Sequence, residues 1–282
     1  MKRLIVTDST SDLSAELVQG LGVKIIPVNI ILDDKTYKDR VEIRIHDFYQ
    51  NFESYNSMKT APVSVEEYEH AYNTLAAPSD EIIFIHCSRL LSKTYDHAVK
   101  VHKMLQDKHD CKVNVVDSKQ CGLGLGLIVI EAARAIKEGR STEDVLELID
   151  TLSNKIITYM TVPTLKYLRS NQKISGLKSI VANMLNIKPV LGVEGGKIVV
   201  KTKLSGKVDN LMLEMVDYIK KDVGDSPVTM GLAHARDTRY LKDLQAIFKN
   251  RFECREMFTS YFGPSVGIST GPETMGVTFF KH

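Results

Sequence analysis

The chain is poor in cysteine, has no long apolar run and carries almost no surplus charge, and each shortage removes a class of function. Its four cysteines, Cys87, Cys111, Cys121 and Cys254, show neither CxxC nor finger-like spacing, so the thiols read as reduced and no disulfide or zinc framework is expected. No window approaches the roughly 20 apolar residues that cross a bilayer. The opening "MKRLIVTDS" holds too short an apolar run for a signal peptide. A cytoplasmic location without stable membrane insertion is the expectation. Lys and Arg number 37 against 35 Asp and Glu, a formal charge of +2. With no sustained basic stripe, nucleic acid and anionic lipid are poor partners, and a small ligand or soluble partner fits better.

Catalytic signatures are missing too. There is no GxSxG elbow, no GxxxxGK[ST] and no HExxH. The run "CGLGLG" at 121–126 lacks dinucleotide-fingerprint spacing, so its glycines read as permitting close helix packing. His97, His102 and His109 are spaced by five and seven, not the four that places two imidazoles on one helix face. They read as solvated, and neither a metal nor a cofactor is expected.

What is present is a large globular chain of 282 residues, 43% hydrophobic, able to bury a sizeable core. Its first half alternates apolar runs with helical patterns: "RLIVTDS", "DLSAELVQGL", "VKIIPVNIIL", "VSVEEYEHAYNTL", "EIIFIHCS", "TYDHAVKVHKMLQD", "KVNVVDS". That rhythm predicts an α/β domain over residues 1–158, a parallel sheet wrapped by crossover helices. Ser64 with Glu67 and Ser141 with Asp144 fit capping boxes. From 159 to 282 the pattern mixes a strand pair around Glu194, Gly195 and Gly196, two long helices and a strand-rich tail, "VGISTGPETMGVTFFKH". An α+β domain with a mixed sheet is expected there.

Ligands of an open parallel sheet bind at the carboxyl ends of its strands. Three polar clusters fall there, "TDSTSD" at 7–12, "HCSRLLSKT" at 86–94 and "VVDSKQ" at 115–120, and "KTAPVS" at 59–64 precedes a helix. Singly, such residues are ordinary caps worth about 1 kcal/mol, and Asp8, Asp12 and Asp117 read as holding loops and caps. Together they make a hydroxyl-rich rim. Ser88 or Ser92 with His86 and Asp117 also supplies the residue types of a hydrolase, a competing reading along with a ligand-free protein-interaction subunit.

In order along the chain, "TDSTSDL", "KTAPVS", "RLLSKTYDHA", "VVDSK", "LKYLRSNQKIS", "ANMLNIKPVL" and "STGPETMG" resemble the motifs of the DegV family of bacterial fatty-acid-binding proteins. The resemblance implies a long-chain fatty acid, such as palmitate, held between the two domains with its carboxylate fixed by hydroxyls. It implies a lipid carrier, not an enzyme, that presents the acid to a fatty-acid kinase. Carried over by motif, the carboxylate ligands are Thr60 and Ser92, with Ser88, Arg89, Lys173, Ser269 and Thr270 in support. Arg89 stands where the family has a second serine, Lys93 where it has glycine, and Lys173 and Ser205 where it has arginines. Ser269 takes the place of a histidine, and Ala61, Pro62 and Val63 replace Ser-Gln-Pro. The apolar positions of "IVANMLNI" and "LMLEMV" are candidates for the acyl tunnel.

Overall fold

The computed structural model describes residues 2–171, 187–205, 208–236 and 238–282. Its elements are β1 (Arg3–Asp8), α1 (Ala15–Leu21), β2 (Lys24–Ile26), β3 (Asn29–Leu32), β4 (Lys35–Lys38), α2 (Ile45–Gln50), β5 (Met58–Ala61), α3 (Val65–Ala76), β6 (Glu81–His86), α4 (Thr94–Leu105), β7 (Lys112–Asp117), α5 (Leu123–Lys137) and α6 (Thr142–Lys155). The second part holds β8 (Ile157–Thr161), α7 (Lys166–Ser170), β9 (Ile187–Glu194), β10 (Lys197–Ser205), α8 (Val208–Val223), β11 (Val228–His234), α9 (Thr238–Arg251), β12 (Cys254–Tyr261), α10 (Pro264–Thr270) and β13 (Met275–Lys281).

The alternating first half gives a parallel sheet in the order β2-β1-β6-β7. All six residues of β6 are buried, as expected of a central strand covered on both faces. The second half gives a six-stranded mixed sheet, β10-β9-β8-β13-β11-β12, in which only β11 and β12 pair in parallel. Gly195 and Gly196, with φ of +53° and +82°, form the two-residue turn between β9 and β10, the conformation a tight hairpin turn demands.

Helix α5 lies against β1 of the first sheet and β11 and β13 of the second. This explains its sequence: Leu125, Leu127, Ile128, Val129 and Ile130 are all fully buried, each stabilising by about 1.5–3 kcal/mol relative to exposure. A Cβ on Gly126 would sit 2.7 Å from the Ser11 carbonyl. Close packing is therefore what the glycine run permits.

Two elements differ from the sequence pattern. The run "VKIIPVNIIL" divides at Pro27: β2 stays in the parallel sheet, while β3 joins a separate antiparallel sheet, β4-β3-β5. The tail expected to be strand begins with α10, where Pro264 occupies the first turn after Gly263, a position at which proline's missing N–H costs nothing. Only Met275–Lys281 is strand.

Candidate functional site

The third sheet and α10 bring together residues that are far apart in sequence. Ile30 pairs with Thr60 across the antiparallel ladder. Directly opposed residues share a face, so Thr60 follows the fully buried Ile30 inward. Helix α10 packs against β5, β3 and α2. A cavity of about 380 Å³ lies there, lined by residues of the small antiparallel sheet, of the mixed sheet and of α10. Its size is within the range of roughly 300–1,000 Å³ for small-molecule sites.

The apolar part of the lining is Val28, Leu90, Leu91, Met160, Ile198 and Val266, with the thiols of Cys87 and Cys121. Six hydroxyls share that lining: Thr10, Thr60, Ser92, Ser265, Ser269 and Thr270. Thr10 donates to Asp8, and Thr270 Oγ1 donates back to the Val266 carbonyl at 3.1 Å. Ser92 Oγ accepts from the Thr94 amide at 3.3 Å and shares a 3.1 Å hydrogen bond with Thr94 Oγ1, which accepts from the Val63 amide. Ser92 thus does at the start of α4 what its N-cap, Lys93, leaves undone, and it stands at the positive end of a 12-residue helix. Ser265 Oγ is buried with no hydrogen-bond partner among the described residues. Hydroxyls in the lining of a largely apolar cavity suit a carboxylate with a hydrocarbon tail.

The cations at the rim are already engaged. Arg89 Nη2 lies 3.1 Å from Asp96 Oδ1, with its guanidinium 5.5 Å from the Tyr95 ring centre, and Lys93 Nζ lies 3.0 Å from Asp96 Oδ2. The hydrogen bond of Lys93, with the charges of Lys93 and Arg89, holds the Asp96 carboxyl below its usual range against the opposing effect of burial. Arg89 is half exposed, so it sits at the rim as a paired surface charge.

Ser88 is turned away from the cavity, its hydroxyl donating to the Gly196 carbonyl at 2.7 Å. It ties the loop that carries Ser92 to the β9–β10 turn. His86 is fully buried, with Nδ1 3.1 Å from Asp8 Oδ2 and Nε2 2.9 Å from the Tyr68 hydroxyl. Asp117 accepts from the backbone amides of Arg89 and Lys119. Among the described residues no serine hydroxyl meets a histidine nitrogen, so the hydrolase constellation does not assemble there.

The three histidines expected in solvent are paired: His97 with the Val63 carbonyl, His102 with the Tyr72 hydroxyl and His109 with Asn73 Oδ1. Lys173 and the segment "IVANMLNI" up to Asn186 lie outside the described residues, as does the side chain of Ser205. Of "LMLEMV", Met215 and Val216 are packed in the core beneath the mixed sheet.

Near these hydroxyls lie three fully buried carboxyls, Asp8, Asp12 and Asp39, the first accepting from Thr10. Burial alone would push Asp8 up, but the hydrogen bond and charge of His86, with Thr10 and the Cys87 amide, hold it below the usual carboxylate range. Asp12 is pushed well above that range by burial, against the Arg40 guanidinium and the Gly263 amide, with Asp39 and Asp8 adding to the rise. Asp12 Oδ1 accepts from Gly263 N at 2.8 Å, and its carbonyl accepts from Ser260. It thereby joins the end of β1 to the segment leading into α10.

Sequence reasoning missed Val28, Cys121, Met160, Ile198, Ser265 and Val266 as cavity residues. Thr10 and Cys87 fell inside rim clusters, whereas Ser265 follows Gly-Pro and looks like turn chemistry.

A family model described as "Uncharacterised protein, DegV family" matches residues 2–282. A DegV domain-containing protein of Caldanaerobacter subterraneus is 31% identical over 279 residues, 99% of this chain and 98% of its own length. One of Staphylococcus aureus is 29% identical over 285 residues, 99% of both chains. Among solved structures, a fatty-acid-binding DegV family protein from Thermus thermophilus superposes with a TM-score of 0.90 at 26% identity, covering 100% of both chains. DegV of Bacillus subtilis, a fatty-acid-binding protein, gives 0.86 at 23% identity with 100% of each chain covered, a likeness that speaks for the fold alone.

Proposed function

The chain belongs to the DegV family, and from that premise we propose that it binds a long-chain fatty acid, with the carboxylate at Thr60 and Ser92 and the tail in the apolar cavity. The observation that carries this reading is that hydroxyls from β5, the α4 entry loop and α10 line one largely apolar cavity. The Thermus relative described as fatty-acid binding, 26% identical over its full length, supports it. Ser269 is the supporting donor, Thr270, whose proton goes to the Val266 carbonyl, lines the cavity beside it, and Arg89 flanks the entrance. Ser88 acts at one remove, by fastening the loop.

Each hydrogen bond to a carboxylate contributes about 1.5–3 kcal/mol, and each buried methylene about 0.8 kcal/mol relative to water. The tail therefore dominates affinity, and the hydroxyls set orientation. The protein acts as a non-catalytic cytoplasmic carrier that presents the fatty acid, for which palmitate is a fair example, to a fatty-acid kinase. In this reading residues 1–158, with the parallel sheet, form one domain and residues 159–282, with the mixed sheet, the other. A serine hydrolase is disfavoured because Ser88 Oγ is committed to Gly196 and both nitrogens of His86 to Asp8 and Tyr68.

The test is titration with a fluorescent fatty acid. Ser92→Ala and Thr60→Val are each expected to weaken binding roughly tenfold to a hundredfold with little change in melting temperature. Unchanged affinity in both variants sinks the assignment.

A further inference from the structure

Ser265 lines the cavity, and its hydroxyl and amide both favour the charged form of the nearby Asp39 carboxyl. Asp39 is fully buried, and its Oδ2 accepts from Ser9 Oγ at 2.7 Å. That serine in turn accepts from the Val28 amide, whose carbonyl takes the Asp39 amide. One side of the carboxyl is thus fixed. Its other oxygen, Oδ1, and Ser265 Oγ are both buried without a hydrogen bond of normal geometry among the described residues, and Ser265 is only 6% exposed.

A hydroxyl has one proton and donates in one direction at a time. An ionised Asp39 is only an acceptor, so Ser265 turns its proton back to it and shows the cavity lone pairs that repel an anion. A protonated Asp39 donates from Oδ1 to Ser265 Oγ, which frees the serine proton to point at a carboxylate in the cavity. We propose that Asp39, acting through Ser265, decides whether the cavity offers a donor or an acceptor to the ligand headgroup, so that binding a carboxylate is tied to uptake of one proton. Ser265 is then a binding residue and Asp39 a positioning residue. The inference rests on the fatty-acid reading and assigns its regulation.

The charged and titratable groups around Asp39 are Arg40 beside it, Asp12 and Asp8 from the end of β1, Tyr49 from α2, and His86 behind Asp8. Burial raises Asp39 above the usual carboxylate range, against Ser9, Ser265 and the Arg40 guanidinium. An anion in the cavity adds a like charge that favours the protonated acid further. By linkage, the proton then strengthens binding as much as the ligand strengthens protonation.

The full-length chain is titrated with cis-parinaric acid from mildly acidic to mildly alkaline pH, and proton uptake is read by calorimetry in buffers of different ionisation enthalpy. The wild type is expected to lose affinity as pH rises, by up to about tenfold per pH unit above the Asp39 titration. Asp39→Asn keeps an acceptor for Ser9 and a permanent donor for Ser265, so it binds tightly with this pH slope and the proton uptake gone. Ser265→Ala binds more weakly, also without the slope. Because Ser265→Ala leaves the buried carboxyl in place, it carries the test even if Asp39→Asn fails to fold. A wild type with flat affinity and no proton uptake, or variants that keep the wild-type slope, overturns the proposal. A wild type that binds at no pH overturns the fatty-acid reading itself, and this inference with it.

Discussion

At the residue scale the site turns on what each hydroxyl has left to give. Thr60 and Ser92 were legible because they sit in an ordered series of motifs, each weak alone. Ser265 and Asp39 were not: a serine after Gly-Pro and an aspartate in "YKDR" carry no local sign that folding will bury both. The fully buried Asp12 tests the same physics. Its raised folded-state pKa means that the native state resists ionisation, a penalty absent below the unfolded value and growing as pH rises toward the folded one. Asp12→Asn keeps an acceptor for the Gly263 amide and removes the charge. Its melting temperature should exceed that of the wild type at neutral pH, with the difference narrowing on acidification. A variant less stable at neutral pH, or a difference that widens in acid, contradicts this. Asp8 has the opposite sign, because its lowered carboxyl stabilises above the unfolded pKa, and that contribution is lost as acid takes the pH through the folded value.

At the scale of elements, helix starts were read most surely, since capping is local chemistry. Both capping boxes form, Ser64 with Glu67 and Ser141 with Asp144. Ser141→Ala should cost about 1 kcal/mol, measured by denaturant unfolding. Helix α10 escaped the sequence reading because "PSVGIST" is short and glycine-containing, and most of it is buried by neighbours that only the tertiary fold supplies. One of them is Tyr49, whose hydroxyl donates to the Phe262 carbonyl at 2.9 Å. A Cβ on Gly267 would meet that side chain, with Tyr49 Cζ 2.9 Å away. Gly267→Ala should therefore destabilise by about 1–3 kcal/mol, the usual cost of overpacking, and Tyr49→Phe should recover part of the loss. Additive effects in the double-mutant cycle would show that the two do not press on each other. A shifted α10 would also misplace Ser265, Ser269 and Thr270, so this variant is expected to bind ligand more weakly as well.

At the scale of the whole molecule, alternation of strand and helix announced the parallel sheet, and the change of rhythm near residue 158 announced the mixed one. The small sheet β4-β3-β5 went unread because its strands are each four residues long and one is cut from a longer apolar run by Pro27. Yet that sheet delivers Thr60, and the cavity exists only where it meets α10 and the mixed sheet. No helix among the described residues is long and apolar enough to cross a membrane. The most direct measurement is native mass spectrometry of the purified chain, followed by denaturation and identification of any lipid released. The account predicts one long-chain fatty acid per chain, or uptake of one equivalent of added fatty acid by protein that arrives empty. An empty protein that takes up none would contradict it.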